Sequence, residues 1–333
     1  MRAGVSFPIL LAALVLLTVI LFVVSLVTGP AGIAFFDSLD ALLTGRSGAA
    51  SIVMQEIRLP RAILGVLIGA SLGLSGAALQ GYLRNPLAEP GLLGISASAS
   101  LGAVLAIYSG LSAAFVLALP LMALAGAIGA VLLVRLLAGS GAQTITLILA
   151  GVAVSSFAGA MTSLALNLSA NPFAALEIVF WMLGSLKDRS MTHVWLALPF
   201  ILAGWAMLFQ VGRALDALTL GEAAAATLGF RLDRVQALVV LGTAACVGAA
   251  TSVSGAISFI GLVVPHVLRP LVGAKPGRLL PASALGGAAV LLAADIAVRV
   301  IAPERDLKLG VLTALVGAPF FLWLIFKQKR EAT

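Results

Sequence analysis

The sequence predicts an all-α integral membrane protein with about ten transmembrane helices, and three observations carry that expectation. Hydrophobic residues fill 61% of the 333 positions and charged residues 10%, with a mean hydropathy of +1.16, values far from those of a soluble domain. Charge-free runs cover residues 3–36, 62–83, 90–134, 136–176 and 235–268. Each is long enough for one or two helices of roughly 20 residues across about 30 Å of hydrocarbon. The runs are continuous Leu, Ala and Val without the two-residue alternation of a barrel strand. Unpaired backbone groups in lipid cost several kcal/mol each, so helices are the remaining way to span.

Dividing the runs at clusters of Gly, Pro, Ser and Asn places spans at 7–28, 62–83, 92–108, 114–137, 145–168, 194–211, 235–252, 256–272, 279–301 and 309–327, within a single membrane domain over residues 1–333. The first run follows Arg2 and exceeds the 7 to 15 apolar residues of a signal peptide, so it is read as a retained helix. The second carries small residues at every fourth position, Gly65, Gly69, Gly73, Ala77 and Gly81, and the fifth repeats the pattern with Gly151, Ser155, Gly159 and Ser163. Such ridges let backbones approach closely, which predicts that both helices lie inside the bundle. The lone Cys246 excludes an intrachain disulfide. An even number of spans puts both termini on one side. Taking that side as cytoplasm collects 12 of the 20 basic residues there, against eight (Arg46 among them) on the other. The positive-inside rule thus favours cytoplasmic termini, and the net charge of +7 reads as topology and not as a nucleic-acid surface.

Few residues can carry chemistry. No Gly-x-x-x-x-Gly-Lys-Ser/Thr loop occurs, so phosphates cannot be cradled in that manner and energy from ATP must come from a partner. With two histidines and one cysteine, no transition-metal cluster can be assembled. The longest polar interruption, Gln210 to Gln236, contains Gly221, Glu222, an alanine run and Gly229. It predicts a short helix with Glu222 complementing its N-terminal dipole, on a docking element within a loop at about 213–234. Two prolines in Arg84-Asn85-Pro86-Leu87-Ala-Glu89-Pro90 forbid a continuous helix, leaving Asn85 and Leu87 either at the edge of a pathway or in a surface turn. Arg58, Arg61 and Arg299 fall on the opposite side, where they either meet carboxylates or snorkel to lipid headgroups. Asp295, four residues before Arg299, predicts an intrahelical ion pair.

Eight ordered motifs give a family resemblance: Arg58-Leu-Pro-Arg61, Ser75-Gly-Ala-Ala-Leu-Gln80, Arg84 to Pro90 with Leu93-Gly94-Ile-Ser96, Leu149-Ala-Gly-Val152, Trp181-Met-Leu-Gly-Ser185, Leu220-Gly-Glu222 with Leu228-Gly229, Gly255 to Arg269, and Gly317-Ala-Pro-Phe-Phe321. From about Arg58 to Leu324 the chain resembles FecCD-type permeases of binding-protein-dependent ABC importers. The resemblance implies a type II importer bundle in a bacterial inner membrane and two permease copies, either identical or similar. It also implies a dimer of ATPases holding ATP and Mg, and a periplasmic substrate-binding protein. The permease itself would bind no cofactor and catalyse nothing. It implies ATPase coupling through Leu220, Gly221, Glu222, Ala223, Leu228 and Gly229, and binding-protein docking through Arg58, Arg61 and Arg299. A cytoplasmic gate would comprise Asn85, Leu87, Thr144 and Ile145, opened by alternating access. The cargo would be a large metal chelate, iron-siderophore or haem first and cobalamin next. An ion-coupled secondary transporter, using Asp295 or Glu177, is the competing class. Two departures from the family pattern, a missing proline at Leu307-Lys308-Leu309-Gly310 and a missing glycine in Ile95 to Ser100, put the start of the tenth helix and the packing of the third in question.

Overall fold

A computed structural model describes residues 6–29, 48–139, 144–303 and 305–331. Among them there is helix and no strand. We number the helices α1 (Phe7–Val27), α2 (Ala49–Tyr82), α3 (Ile95–Tyr108), α4 (Ala118–Ala138), α5 (Thr144–Asn167), α6 (Pro172–Met182), α7 (Met191–Gln210), α8 (Gly212–Leu218), α9 (Glu222–Thr227), α10 (Leu232–Ser254), α11 (Ile260–Leu268), α12 (Pro276–Ile301) and α13 (Leu309–Glu331). Eight of these are long and apolar enough to cross a membrane. The shorter apolar helices α3 and α11, the latter continued by a 3₁₀ turn over Arg269–Val272, stand at the expected third and eighth spans. The chain is therefore a multi-pass membrane protein. Arg2 and Arg46, used above in weighing the two sides, lie outside the described residues.

One expected boundary is corrected. The second span begins at Ala49 and not at 62, because a π-helical stretch over Val53–Arg58 joins the preceding turn to the regular helix. Pro60 lies inside this continuous helix directly after the π stretch, one of the few features at which a helix accommodates a break in its i→i−4 ladder. Arg58 and Arg61 are consequently helical residues. The tenth helix starts at Leu309, as expected despite the absent proline, and the Gly310 N–H donates to the Gly184 carbonyl.

Helices α2 and α10 form the interior. In their most apolar stretches 89% and 78% of residues are buried, against 22% for α1 and α13. The first glycine ridge does what its spacing predicts: a Cβ on Gly73 would overlap the Ser283 carbonyl of α12, and one on Gly69 the Gly287 carbonyl. A Cβ on Gly76 would overlap the Gly261 carbonyl of α11. Since lipid tails give helices no hydrophobic reason to associate, this close approach and its dispersion gain supply the cohesion. A polar tie adds to it, the Trp205 indole N–H donating to the Ser71 hydroxyl at 3.0 Å.

The second ridge behaves differently, and the expectation that it lies inside is corrected. Gly151 meets the Leu92 backbone, but Gly159 and Ser163 are exposed, and nothing lies within 4 Å of a Cβ placed on Gly159. With Leu149, Val152, Phe157 and Leu164 also exposed, α5 presents a small-residue face to the outside of the single chain. The packing of the third helix is close: Gly102 abuts the Met122 backbone, and Gly126 abuts that of Ser98.

Candidate functional site

Two polar clusters occupy opposite ends of the bundle. At one end, the last turn of α1, the Arg58–Arg61 stretch of α2 and the end of α12 form one polar cluster, with Asp295, 1% exposed, at its centre. The Arg61 guanidinium grips it with two nitrogens, Nε at 2.9 Å and Nη2 at 2.8 Å from Oδ1. The expected Asp295–Arg299 pair forms at 2.9 Å. Arg299 also donates to the carbonyls of Ser25 (2.8 Å) and Thr28 (2.7 Å) and to the Ser25 hydroxyl (2.7 Å). Arg58, 4% exposed, donates to the Leu26 carbonyl at 3.0 Å and the Val27 carbonyl at 3.2 Å. Those are orphan acceptors at the C-terminus of α1, where a cation is favoured.

The three arginines are thus brought together as the sequence implies, but their outward presentation is corrected: each has an inward partner. Side-chain exposure of 15% for Arg61 and 8% for Arg299 leaves Arg61 the more accessible. It lines a cavity of about 120 Å³ together with Lys187, Arg299, Arg305 and Asp306. That rim was not foreseen, because Lys187 and Arg305 lie in separate loops. Lys308 and Lys187 hold the Asp306 carboxyl below the usual carboxylate range, first through the hydrogen bond from Lys308. With Asp295 claimed by two guanidiniums and Glu177 exposed, neither acid stands as a free ion site within the bundle.

At the other end lie the final turn of α2, the start of α12, and the helices α8 and α9. Asp216 of α8 accepts from the Gly277 N–H at 2.7 Å, clipping α8 to α12. Gly221 (φ 104°) and Gly229 (φ 88°) bracket α9 in left-handed backbone that glycine adopts without strain, so the chain turns sharply out and back. Leu220, Glu222, Ala223, Leu228 and Gly229 are exposed and Gly221 is half-buried, while Ala225 is buried and seats the helix. The Arg84 guanidinium reaches Glu222 at 3.2 Å.

The loop after α2 folds back on the bundle. The Asn85 carboxamide accepts from the Leu87 N–H at 2.9 Å. The Gln80 amide donates to the Ala88 and Gly261 carbonyls, both at 3.3 Å, and Arg269 donates to the Gln80 oxygen at 2.6 Å. Glu89 accepts from the N–H of Phe259, at the N-terminus of α11, at 3.0 Å. Asn85 is exposed and Leu87 half-buried. Ile145 is exposed near the start of α5, whereas the side chain of Thr144 lies outside the described residues. His266 packs edge-on against Phe320 with ring centres 5.8 Å apart, a packing position at the proline-bearing α11.

A helical bundle with eight membrane-length helices, an exposed short helix at one end and a basic cavity at the other defines a class, the multi-pass helical membrane protein. The profile of the FecCD transport family matches residues 17–327. The chain belongs to that family. It is 35% identical over 343 residues to the hemin transport system permease protein HmuU of Yersinia pestis, covering 99% of each chain. It is 38% identical over 330 residues to the vitamin B12 import system permease protein BtuC of Salmonella typhi, covering 99% of this chain and 97% of that one. Among solved structures, a metal-chelate type ABC transporter in an inward-facing conformation superposes with a TM-score of 0.85 at 31% identity, over 96% and 99% of the two chains.

Proposed function

We propose that this chain is the permease subunit of a binding-protein-dependent ABC importer that carries a large metal chelate inward across a bacterial inner membrane. The observation that carries the reading is α9: a short helix, held out between two left-handed glycines on a platform clipped to α12, in a chain whose relatives are ABC permeases. Exposed Leu220, Glu222 and Leu228 suit it to a groove on a partner ATPase, which would hold ATP and Mg. Asn85, Leu87, Thr144 and Ile145 form the cytoplasmic gate, and both termini are cytoplasmic. The basic cavity around Arg61 takes an acidic side chain of the substrate-binding protein. Arg299 lines it beside Arg61, Arg58 braces the end of α1, and the docking arginines are reached through Arg61. The outward face of α5 meets a second permease, identical or similar, and the pathway runs between the two. Iron-siderophore and haem are the leading cargoes, with cobalamin next.

The test is ATPase activity of this chain with its partner ATPase in nanodiscs, with and without binding proteins loaded with ferric siderophore, haem or cobalamin. Stimulation of several-fold by one loaded protein is expected. Failure to assemble with any ATPase overturns the reading. Docking through partly exposed charge should weaken with salt, so stimulation at a fixed binding-protein concentration is expected to fall between 0.05 and 0.5 M salt, as the Debye length shrinks below about 10 Å. Stimulation unchanged by salt would remove the cavity from the docking site.

A further inference from the structure

Arg84 stands where α2 ends, and its backbone adopts φ 50°, a left-handed conformation that a residue with a side chain enters at a cost. It is followed at once by Asn85, Pro86 and Leu87. Its guanidinium is held at 3.2 Å by Glu222, the first residue of α9, 138 positions later in the chain. The far end of the same loop is fastened to the bundle interior: Ala88 to Gln80, Gln80 to Arg269, and Glu89 to the Phe259 N–H. The loop is therefore pinned to α2 and α11 at both ends, the Asn85 N–H also donating to the Gln80 carbonyl at 3.2 Å, and the Arg84 side chain ties it to α9 as well. The glycines on both sides of α9 leave its ends without side-chain packing, while buried Ala225 seats its middle.

We infer that Arg84 is a positioning residue that passes movement of α9 to the loop Asn85 to Leu87 through its ion pair with Glu222. The inference rests on the importer reading, in which α9 meets the ATPase and the loop is a gate. It gives Glu222 a second task, inside its own chain. With side-chain exposures of 49% and 59%, the pair is screened by water. An exposed pair shifts an equilibrium by no more than about five-fold, and that bounds the effect.

The experiment uses the chain with its partner ATPase in nanodiscs and reads the loop directly. Leu87→Cys serves as the reporter, labelled by a water-soluble maleimide with and without ATP, while Cys246 is buried and inaccessible. Co-purification of the ATPase is scored in every sample. Arg84→Glu is expected to shrink the ATP-dependent change in labelling rate by roughly two- to five-fold with the ATPase still bound, and Glu222→Arg to shrink it at least as much, because its own contact with the ATPase is altered too. The double exchange, Arg84→Glu with Glu222→Arg, is expected to restore at least half of it. A purely structural role for either residue would lower yield without such recovery. If both single variants are impaired and the exchange restores nothing, Glu222 acts on the ATPase alone; the link is then overturned and the importer reading stands. Single variants that leave labelling unchanged also overturn the link. If the unaltered chain retains no ATPase, the importer reading fails and the link fails with it.

Discussion

Replacing Asp295 with alanine is expected to destabilise the folded chain by about 3–5 kcal/mol, because it leaves two largely buried guanidiniums without their counter-charge. Arg61 loses a two-nitrogen grip and Arg299 loses its ion pair, although Arg299 keeps its bonds to Ser25 and Thr28. The loss would be read as a lower midpoint of unfolding by SDS in mixed micelles. Adding Arg61→Leu to Asp295→Ala should recover part of it, since one uncompensated charge goes with its partner and an apolar side chain fills the space. A double variant no better than Asp295→Ala would mean that the two residues act independently, against the 2.8 Å contact.

The second large effect is steric. Gly73→Val places a branched side chain where the Ser283 carbonyl of α12 lies against α2, and backbone cannot yield as a flexible side chain can. Overpacking typically costs 1–3 kcal/mol, and forcing α2 and α12 apart should exceed about 3 kcal/mol. The expected outcome is loss of monodisperse protein on gel filtration in detergent. Gly159→Val is the control. Its site on α5 is open and exposed in the single chain, so the folded subunit should tolerate it. If it meets a second permease as proposed, the variant should elute as a folded single subunit where the unaltered chain elutes as a pair. Equal elution would remove that face from the contact.

The sequence revealed much of this fold because membrane spans announce themselves locally. Runs of apolar residues, the glycine ridge of α2, the helix at Glu222 and the Asp295–Arg299 pair all depend on neighbours within a few positions. What escaped depends on distance along the chain. The grip of Arg61 on Asp295 joins residues 234 apart, and Arg84 meets Glu222 across 138; no periodicity encodes either. The early start of α2 was hidden by Glu56, Arg58 and Arg61, whose charges end the apolar run at 62 although a π-helical stretch carries the helix through them. The ridge on α5 was read as interior because small residues signal close approach. The signal was sound in kind, but within one chain it does not say whose helix approaches. The inward turn of the three arginines was illegible for a related reason: sequence placed them at one end of the bundle, and packing alone decided which way each guanidinium faced.

The cluster at Asp295 also has a history during synthesis. Arg58 and Arg61 leave the ribosome more than 230 residues before the carboxylate that neutralises the second of them. At 5–20 residues per second, the interval is on the order of tens of seconds. Throughout it, α2 must rest in or beside the bilayer with the Arg61 cation near its end held by water and phospholipid headgroups. Arrival of α12 supplies the missing charge to Arg61, whereas Arg58 already has the Leu26 and Val27 carbonyls of α1. The last third of the chain thereby completes the first, and a nascent protein halted before residue 295 would display an exposed basic helix end to the membrane quality-control machinery.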